Sequence, residues 1–338
     1  MRPKIFVTHP IPAKGIKMLM NHYEVELNES KNKLDKDFLI NKIKDKDVLL
    51  SLLTDNIDAD VINSAKDLKV ISNYAVGYNN IDVSAATANR IFVTNTPRTL
   101  DETTADFVFA LILGIARRVV ESDKFMRSKE FKGWCAMDFL GFDVHNSTLG
   151  ILGMGSIGKE VARRAYHGFG MNVLYIDRGI DPLTIGFKAT AVDMDTLLRD
   201  SDFISMNVPL TKDTYHLIGE RELKKMKSTA YLINTSRGPV IDEAMLYKFL
   251  KSKRIAGAAI DVYENEPEFI KGLEELDNVI MTPHIASASL QTRELMSVKA
   301  AQNIIDYFNG KIPEGLVNKE VLKSMDAYQD LFIQKSIA

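Results

Sequence analysis

Three glycines near the middle of this 338-residue chain restrict its folding more than any other stretch. They lie in Leu152-Gly153-Met154-Gly155-Ser156-Ile157-Gly158, after the apolar run Thr148-Leu149-Gly150-Ile151-Leu152 and before a helix-like segment from Lys159 to His167. A further apolar run, Leu174-Tyr175-Ile176, ends at Asp177. Strand, Gly-x-Gly-x-x-Gly turn, helix, strand and acid, in that order, form the βαβ arrangement that binds a dinucleotide. The first glycine permits the tight turn, the second lets backbone approach a pyrophosphate, and the third lets helix and strand pack closely. The helix start adds free N–H groups and the positive end of its dipole. Gly153, Gly155, Ser156, Ile157 and Gly158 are therefore expected at the pyrophosphate, and Asp177 at the adenosine ribose. Asp177 would repel a 2′-phosphate, which favours NAD; Arg178 beside it would serve NADP if Asp177 swung away.

Around this motif, short Ile-, Val- and Leu-rich runs alternate with amphipathic segments over nearly the full length. Expected strands in the first third are Ile5–Thr8, Tyr23–Leu27, Val48–Leu53, Val70–Tyr74 and Ile91–Thr94. A second series runs from Thr148 through Asn172–Ile176, Ala189–Val192, Phe203–Asn207, Ala230–Asn234, Gly257–Asp261 and Val279–Thr282. Such alternation predicts α/β architecture with parallel sheets covered on both faces, and the length predicts two domains. Thr103 to about Glu130 reads as one long helix connecting them, and Ser289–Phe308 as a second long helix. If that last helix packs on the first series, the first domain is discontinuous: 1–99 with 288–338, around an inserted 100–287.

A formal net charge of −2 gives no footprint for nucleic acid or an anionic membrane surface. No apolar run approaches the roughly 18 residues of a membrane span, and the start of the chain lacks a signal-peptide core. One cysteine, Cys135, excludes an intrachain disulfide. The cytoplasm is the expected compartment. His145, His167 and His216 lack companions at metal-ligand spacing, and no Gly-x-Ser-x-Gly or Walker A sequence occurs, so metal and acyl-transfer chemistry are not expected.

A nicotinamide enzyme acting on a small acid requires a cation for the carboxylate, an acid/base group at the reacting oxygen, and a group that tunes it. These belong at the C-terminal ends of the second series of strands. Arg237, in Thr235-Ser236-Arg237-Gly238-Pro239, could grip a carboxylate or simply cap a loop. Glu266, in an acidic cluster, could tune a histidine or be solvated. His284 ends a strand of the dinucleotide series, where a nearby carboxylate would hold one tautomer. Asp261 could accept from a nicotinamide carboxamide or cap the next segment. In Tyr74–Asp82, Gly77 would let backbone N–H groups face an anion, or lie in an ordinary turn.

Asn73–Asp82, Val93–Pro97, Thr104-Ala105-Asp106, the glycine loop, Asn234–Gly238, Ala259–Pro267 and Thr282–Ala286 together resemble the D-2-hydroxyacid dehydrogenase family, over almost the whole chain. The resemblance implies two Rossmann-like or flavodoxin-like parallel-sheet domains with the active site in the cleft between them, and a homodimer. It implies Arg237, Glu266 and His284 as the catalytic trio, and Val76 and Gly77 amides with Arg237 and His284 as the substrate site. Thr104, Val208, Pro209, Thr214, Thr235, Asp261, His284 and Ala286 join the glycine loop, Asp177 and Arg178 as cofactor contacts. Val93–Pro97, Thr103–Asp106 and Arg127–Trp134 look most like the glyoxylate and hydroxypyruvate reductases of that family. Trp134 would then reach an active site across the dimer, or pack at its interface.

Departures narrow the choice. A lysine of phosphite dehydrogenases is replaced by Val76, formate dehydrogenases pair their histidine with glutamine rather than a residue such as Glu266, and 338 residues leave no room for the regulatory domain of long phosphoglycerate dehydrogenases. The expected reaction is NAD(P)H-dependent reduction of a small 2-oxo acid to the D-2-hydroxy acid and its reverse. Other acids (D-lactate, 3-phosphoglycerate, phosphite) are alternatives, as is a non-catalytic NAD-sensing protein of the corepressor type.

Overall fold

Strands buried on both faces, each followed by a helix that crosses back over the sheet, must pair in parallel. The structure is a computed structural model describing residues 2–30 and 32–324. The chain divides into two compact units, Met1–Leu100 with Ala288–Ala338 and Asp101–Ser287. Leu100 thus falls in the first unit rather than the second, and the expected 325–338 lies outside the described residues.

In the first unit, β1 (Lys4–Val7), β2 (Glu24–Leu27), β3 (Val48–Ser51), β4 (Val70–Asn73) and β5 (Phe92–Thr94) form a parallel sheet in the order β2-β1-β3-β4-β5. Between them run α1 (Ala13–Met20), α2 (Lys36–Ile43), α3 (Ala59–Ser64) and α4 (Val83–Ala88). Asp35, Asp58 and Asp82 start the last three by accepting N–H bonds from Phe38, Val61 and Ala85. Alternate strand residues feed two cores: Ile5, Val7 and Leu50 on one face, Phe6, Leu49 and Ile71 on the other.

The second unit begins with α5 (Asp101–Ala116) and α6 (Val119–Arg127). It continues as β6 (Thr148–Leu152), α7 (Ser156–Phe169), β7 (Asn172–Ile176), β8 (Thr190–Ala191), α8 (Met194–Asp200) and β9 (Phe203–Met206). After these come α9 (Glu220–Leu223), β10 (Tyr231–Asn234), α10 (Glu243–Lys251), β11 (Gly257–Ile260) and β12 (Val279–Met281). All seven strands are parallel, in the order β12-β11-β10-β9-β6-β7-β8. Strand order reverses between β6 and β9, and ligands of such sheets bind at the carboxyl ends flanking that reversal.

Finally α11 (Leu290–Phe308) returns to the first unit. Gly15 of α1 lies so near it that any side-chain carbon there would overlap the Ser297 carbonyl, and Met296, Ala300 and Ile304 join the core containing Ile5 and Val7. Among the described residues, no helix is long and apolar enough to cross a membrane.

One expected element is corrected. The single helix from Thr103 to about Glu130 is two, broken at Arg117-Arg118. Arg118 takes a left-handed φ of 52°, and its guanidinium binds Glu121 in the first turn of α6 at 2.8 and 2.5 Å. The freed Ala116 carbonyl accepts instead from Phe142 N at 2.9 Å, so a segment arriving from later in the chain takes the acceptor that the next helical turn would have used.

Candidate active site

The glycine loop follows β6. Gly153 has φ 93°, and a Cβ there would stand 2.7 Å from the Asn207 carbonyl across the strand reversal; one on Gly158 would overlap the Gly153 carbonyl. Gly155, by contrast, is exposed, with no atom within 4 Å of where its Cβ would stand. It is the N-cap of α7 and offers no side chain to the helix N–H groups. Two glycines are thus demanded by packing, and the third leaves open an approach to the start of α7. That arrangement suits a pyrophosphate.

Asp177, at the end of β7, accepts from Met154 N, Gly179 N and Ile180 N, each at 2.9 Å. Burial would raise its carboxyl, but these donors hold it below the ordinary aspartate value. The acid is therefore fixed to the glycine loop rather than free to swing away. Arg178 is exposed and its Nη1 binds Asp213 Oδ2 at 2.8 Å.

Three loops converge after β10, β11 and β12. Asn234, buried at the end of β10, shapes the first: its Oδ1 accepts from Ser236 N and Oγ, and its Nδ2 donates to the Arg237 carbonyl at 2.9 Å. Arg237 Nη1 donates to Ser236 O at 2.7 Å; burial pushes the guanidinium pKa down, opposed by the charge of Glu266. Next to Arg237, Gly238 touches the Tyr263–Glu264 peptide so closely that a side-chain carbon would overlap the Tyr263 carbonyl. Glycine at 238 therefore sets the approach of the arginine loop to the glutamate loop.

Glu266 Oε2 lies 3.0 Å from His284 Nδ1, and its Oε1 accepts from Tyr263 N at 3.1 Å. Burial alone would raise the Glu266 carboxyl; the bond and charge of His284, the Tyr263 N–H and Arg237 bring it below the ordinary glutamate value. A carboxylate only accepts, so Nδ1 carries a proton and Nε2 is the nitrogen left for other chemistry. His284 itself has φ 54°, a left-handed conformation uncommon for a side chain of this size. Its N–H donates to Asp261 O and Thr282 O.

The residue holding that bend is Asp261. Its Oδ1 accepts from Thr282 Oγ1 at 2.7 Å and Ile285 N at 2.8 Å, and its Oδ2 from Ala286 N at 2.8 Å. It is buried, and its carboxylate caps the loop carrying His284, one of the two roles the sequence offered it. Tyr263 adds a second brace, its hydroxyl donating to Thr282 O at 2.9 Å while burial pushes its pKa up to about 12.

A carboxylate–histidine pair, a neighbouring half-buried arginine and a dinucleotide loop on one parallel sheet match a known group of proteins. Residues 109–286 match the NAD-binding domain of the D-isomer specific 2-hydroxyacid dehydrogenases. The chain is 49% identical over 331 residues to a glyoxylate reductase of Thermococcus litoralis, covering 96% of this chain and 99% of that protein. The chain belongs to the D-2-hydroxyacid dehydrogenase family. It is an NAD(P)-dependent oxidoreductase. A crystal structure of a Thermus thermophilus protein superposes with a TM-score of 0.88 at 38% identity, covering 93% of this chain and 99% of that one. A glyoxylate reductase from Paecilomyes thermophila gives 0.82 at 33% identity, covering 92% and 97%.

The remaining expected cofactor residues of this dehydrogenase all belong to the second unit. Val208 packs beside Gly153, and the Thr214 hydroxyl donates to Pro209 O at 2.6 Å and accepts from Thr211 N, closing its own loop. Thr235 is half-buried next to Arg237, Ala286 is tied to Asp261, and Thr104 is buried in the first turn of α5. In the first unit, the Val76 carbonyl accepts from Asn95 Nδ2 at 2.7 Å and the Gly77 carbonyl from Asn73 Nδ2 at 2.9 Å. Neither the Val76 nor the Gly77 N–H has an acceptor among the described residues. Asn73, Asn95, Asn234 and Tyr263 escaped the sequence reading because each acts by a bond that only the fold creates. A cavity of about 570 Å³ lined by Arg118, Tyr231, Leu250 and Asn278 lies by the N-terminal ends of β10, β11 and β12, at the edge opposite these loops, and has no part in the site.

Proposed function

We propose that this dehydrogenase reduces glyoxylate or hydroxypyruvate to the corresponding 2-hydroxy acid, with Arg237, Glu266 and His284 as its catalytic residues. The 3.0 Å contact between Glu266 Oε2 and His284 Nδ1 carries the proposal, because it orients a histidine with Nε2 left to exchange a proton. Bound reduced nicotinamide supplies a hydride to the carbonyl carbon. Arg237 would hold the substrate carboxylate and carbonyl oxygen with its planar fork of donors, aided at the carboxylate by the Val76 and Gly77 N–H groups. His284, doubly protonated, gives its Nε2 proton to the oxygen that gains charge and becomes neutral. Glu266 stabilises the imidazolium beforehand and keeps Nδ1 protonated afterwards. The Gly153–Gly158 loop and Asp177 would hold the dinucleotide.

NADH is the proposed cofactor. Asp177 is held by three backbone donors, and a fixed carboxylate at this motif position favours ribose hydroxyls over a 2′-phosphate. The protein is further proposed to work as a homodimer. Between residues 128 and 142 the chain exposes Phe131, Trp134, Met137, Leu140 and Phe142, with Trp134 85% exposed, and a second copy would cover them.

One panel tests the reading: oxidation of NADH and NADPH with glyoxylate, hydroxypyruvate, pyruvate and bulkier 2-oxo acids. Highest kcat/KM with glyoxylate or hydroxypyruvate and NADH supports it. Tight NADH binding without turnover of any acid overturns it in favour of a sensor, and light scattering reads the dimer.

A further inference from the structure

A second histidine–glutamate pair lies behind the first, and no step of the proposed reaction uses it. His216 Nε2 is 2.7 Å from Glu264 Oε1, and its side chain is 31% exposed against 22% for Glu264. The Tyr215 ring stacks on the imidazole with centroids 4.1 Å apart, and its hydroxyl donates to the same Glu264 oxygen at 3.4 Å. Asp242 Oδ2 faces the other ring nitrogen at 4.0 Å.

The backbone around His216 is attached as firmly as its ring. His216 N donates to Pro239 O at 2.8 Å, Ile218 N to Val240 O, and Asp242 N back to Ile218 O, so 216–218 runs as a short parallel pairing along 239–241. That pairing starts two residues after Arg237. Glu264 stands two residues before Glu266, and its own N–H and Oε2 are tied to Glu243 at the start of α10. His216 also follows the loop closed by Thr214. One residue therefore joins the arginine loop through its backbone and the glutamate loop through its ring.

We propose that His216 is a positioning residue, whose bridge from the Pro239 carbonyl to the Glu264 carboxylate clamps the loop carrying Arg237 to the loop carrying Glu266. A partly exposed side-chain hydrogen bond contributes little to stability. The consequence of this one is geometric. Gly238 already brings the two loops into van der Waals contact, but contact alone leaves them free to slide. The His216–Glu264 bond fixes the direction of approach, and thereby the distance from the Arg237 guanidinium to the Glu266–His284 pair. A misplacement of about 1 Å at such a site costs up to about a hundredfold in rate.

The inference rests on the proposed reaction only for its kinetic readout, so the test has two arms. In the first, hydrogen exchange of the full-length protein is compared with His216→Ala and His216→Gln. Amides of 236–241 and 263–266 are expected to exchange at least about threefold faster in the alanine variant, with α5 and α7 unchanged, and to recover in the glutamine variant, whose amide can still donate to Glu264. In the second arm, His216→Ala is expected to lower kcat about tenfold with NADH affinity and melting temperature near wild type. Glu264→Ala, which also frees Glu243 N, should lose at least as much, and the double variant no more than Glu264→Ala alone, as a shared contact requires. Unchanged exchange in both loops, or additive kinetic losses, overturns the clamp. Failure of the wild-type protein to turn over any 2-oxo acid overturns the reaction instead, and the exchange arm still decides the clamp.

Discussion

Gly238 and Tyr263 touch backbone to backbone, with no room between them for a side-chain carbon. Residue 238 adjoins Arg237, and residue 263 donates its N–H to Glu266. The contact therefore fixes how near the cation of the site comes to its acid. Gly238→Ala must push the two loops apart, because the obstacle is main chain and not a flexible tip. It is expected to lower kcat/KM for the 2-oxo acid by about a hundredfold, with NADH affinity nearly unchanged. Steady-state kinetics together with fluorescence titration of NADH check both halves.

His284→Ala removes the proposed proton donor and is expected to reduce kcat by about 10²–10⁴-fold, the range for a lost general acid. Glu266→Gln keeps the shape but loses the charge that stabilises the imidazolium, and a smaller loss is expected. Because the reductive step needs the imidazolium, the alkaline limb of the pH–rate profile is the one expected to move, toward lower pH. Wild-type kcat in His284→Ala would remove that residue from the mechanism.

Acid stability follows from the carboxyls. Glu266 and Asp177 both lie below their ordinary values in the folded protein. Folding thus favours their charged forms, and their contribution is fully present above the unfolded values, near pH 4. It is lost as pH falls through the lower folded values. Asp261 is opposite in sign, since burial raises its carboxyl and makes its ionisation a cost at neutral pH. Glu266→Gln is therefore expected to melt below wild type at pH 7, with the gap closing below about pH 4. Melting curves across that window give the answer.

Asp177 and Asp213 flank Arg178, yet different effects are expected of them. Asp177 accepts three backbone bonds, and Asp177→Ala leaves those donors unpaired while removing the proposed ribose acceptor. Losing a charge-assisted bond of about 1.5–3 kcal/mol corresponds to a roughly ten- to hundredfold rise in KM for NADH. KM for NADPH should rise less, so the preference between the two narrows. Asp213 binds Arg178 on the open surface, with side chains 66% and 80% exposed. Asp213→Ala is expected to change NADH kinetics by less than about twofold.

Much of this molecule could be read in its residues, because the signals were local. Alternating apolar runs marked the strands to within a residue or two, and the glycine spacing marked the β6–α7 turn. Arg237, Glu266 and His284 were singled out by their place after strands. What stayed hidden depends on partners distant in sequence. Helical periodicity continues through Arg117-Arg118, and the break there coincides with a bond from Phe142 N to the Ala116 carbonyl that no local pattern announces. The bonds of Asp261 to the 282–286 loop were likewise hidden, because its partners lie more than 20 residues further along. His216 was passed over for lacking nearby acids, yet its partner Glu264 lies 48 residues further along.

The substrate carboxylate offers the last test, on the first unit alone. Asn95 Nδ2 holds the Val76 carbonyl at 2.7 Å, which fixes the peptide plane carrying the Gly77 N–H, while Thr96 N donates to Ala75 O at 2.9 Å and holds the plane carrying the Val76 N–H. Asn95 is itself held through its backbone, its N–H on Gly315 O and its carbonyl on Asn303 Nδ2, so a change of side chain leaves the main chain in place. Asn95→Ala frees the Val76 carbonyl to rotate, and the Gly77 N–H on the same peptide plane loses its fixed direction. A bond of about 1 kcal/mol lost from carboxylate binding corresponds to a rise in KM of roughly fivefold. The rise is expected for every 2-oxo acid that turns over, whatever its side chain, with NADH affinity untouched. A change confined to one acid would mean that this loop reads the side chain rather than the carboxylate.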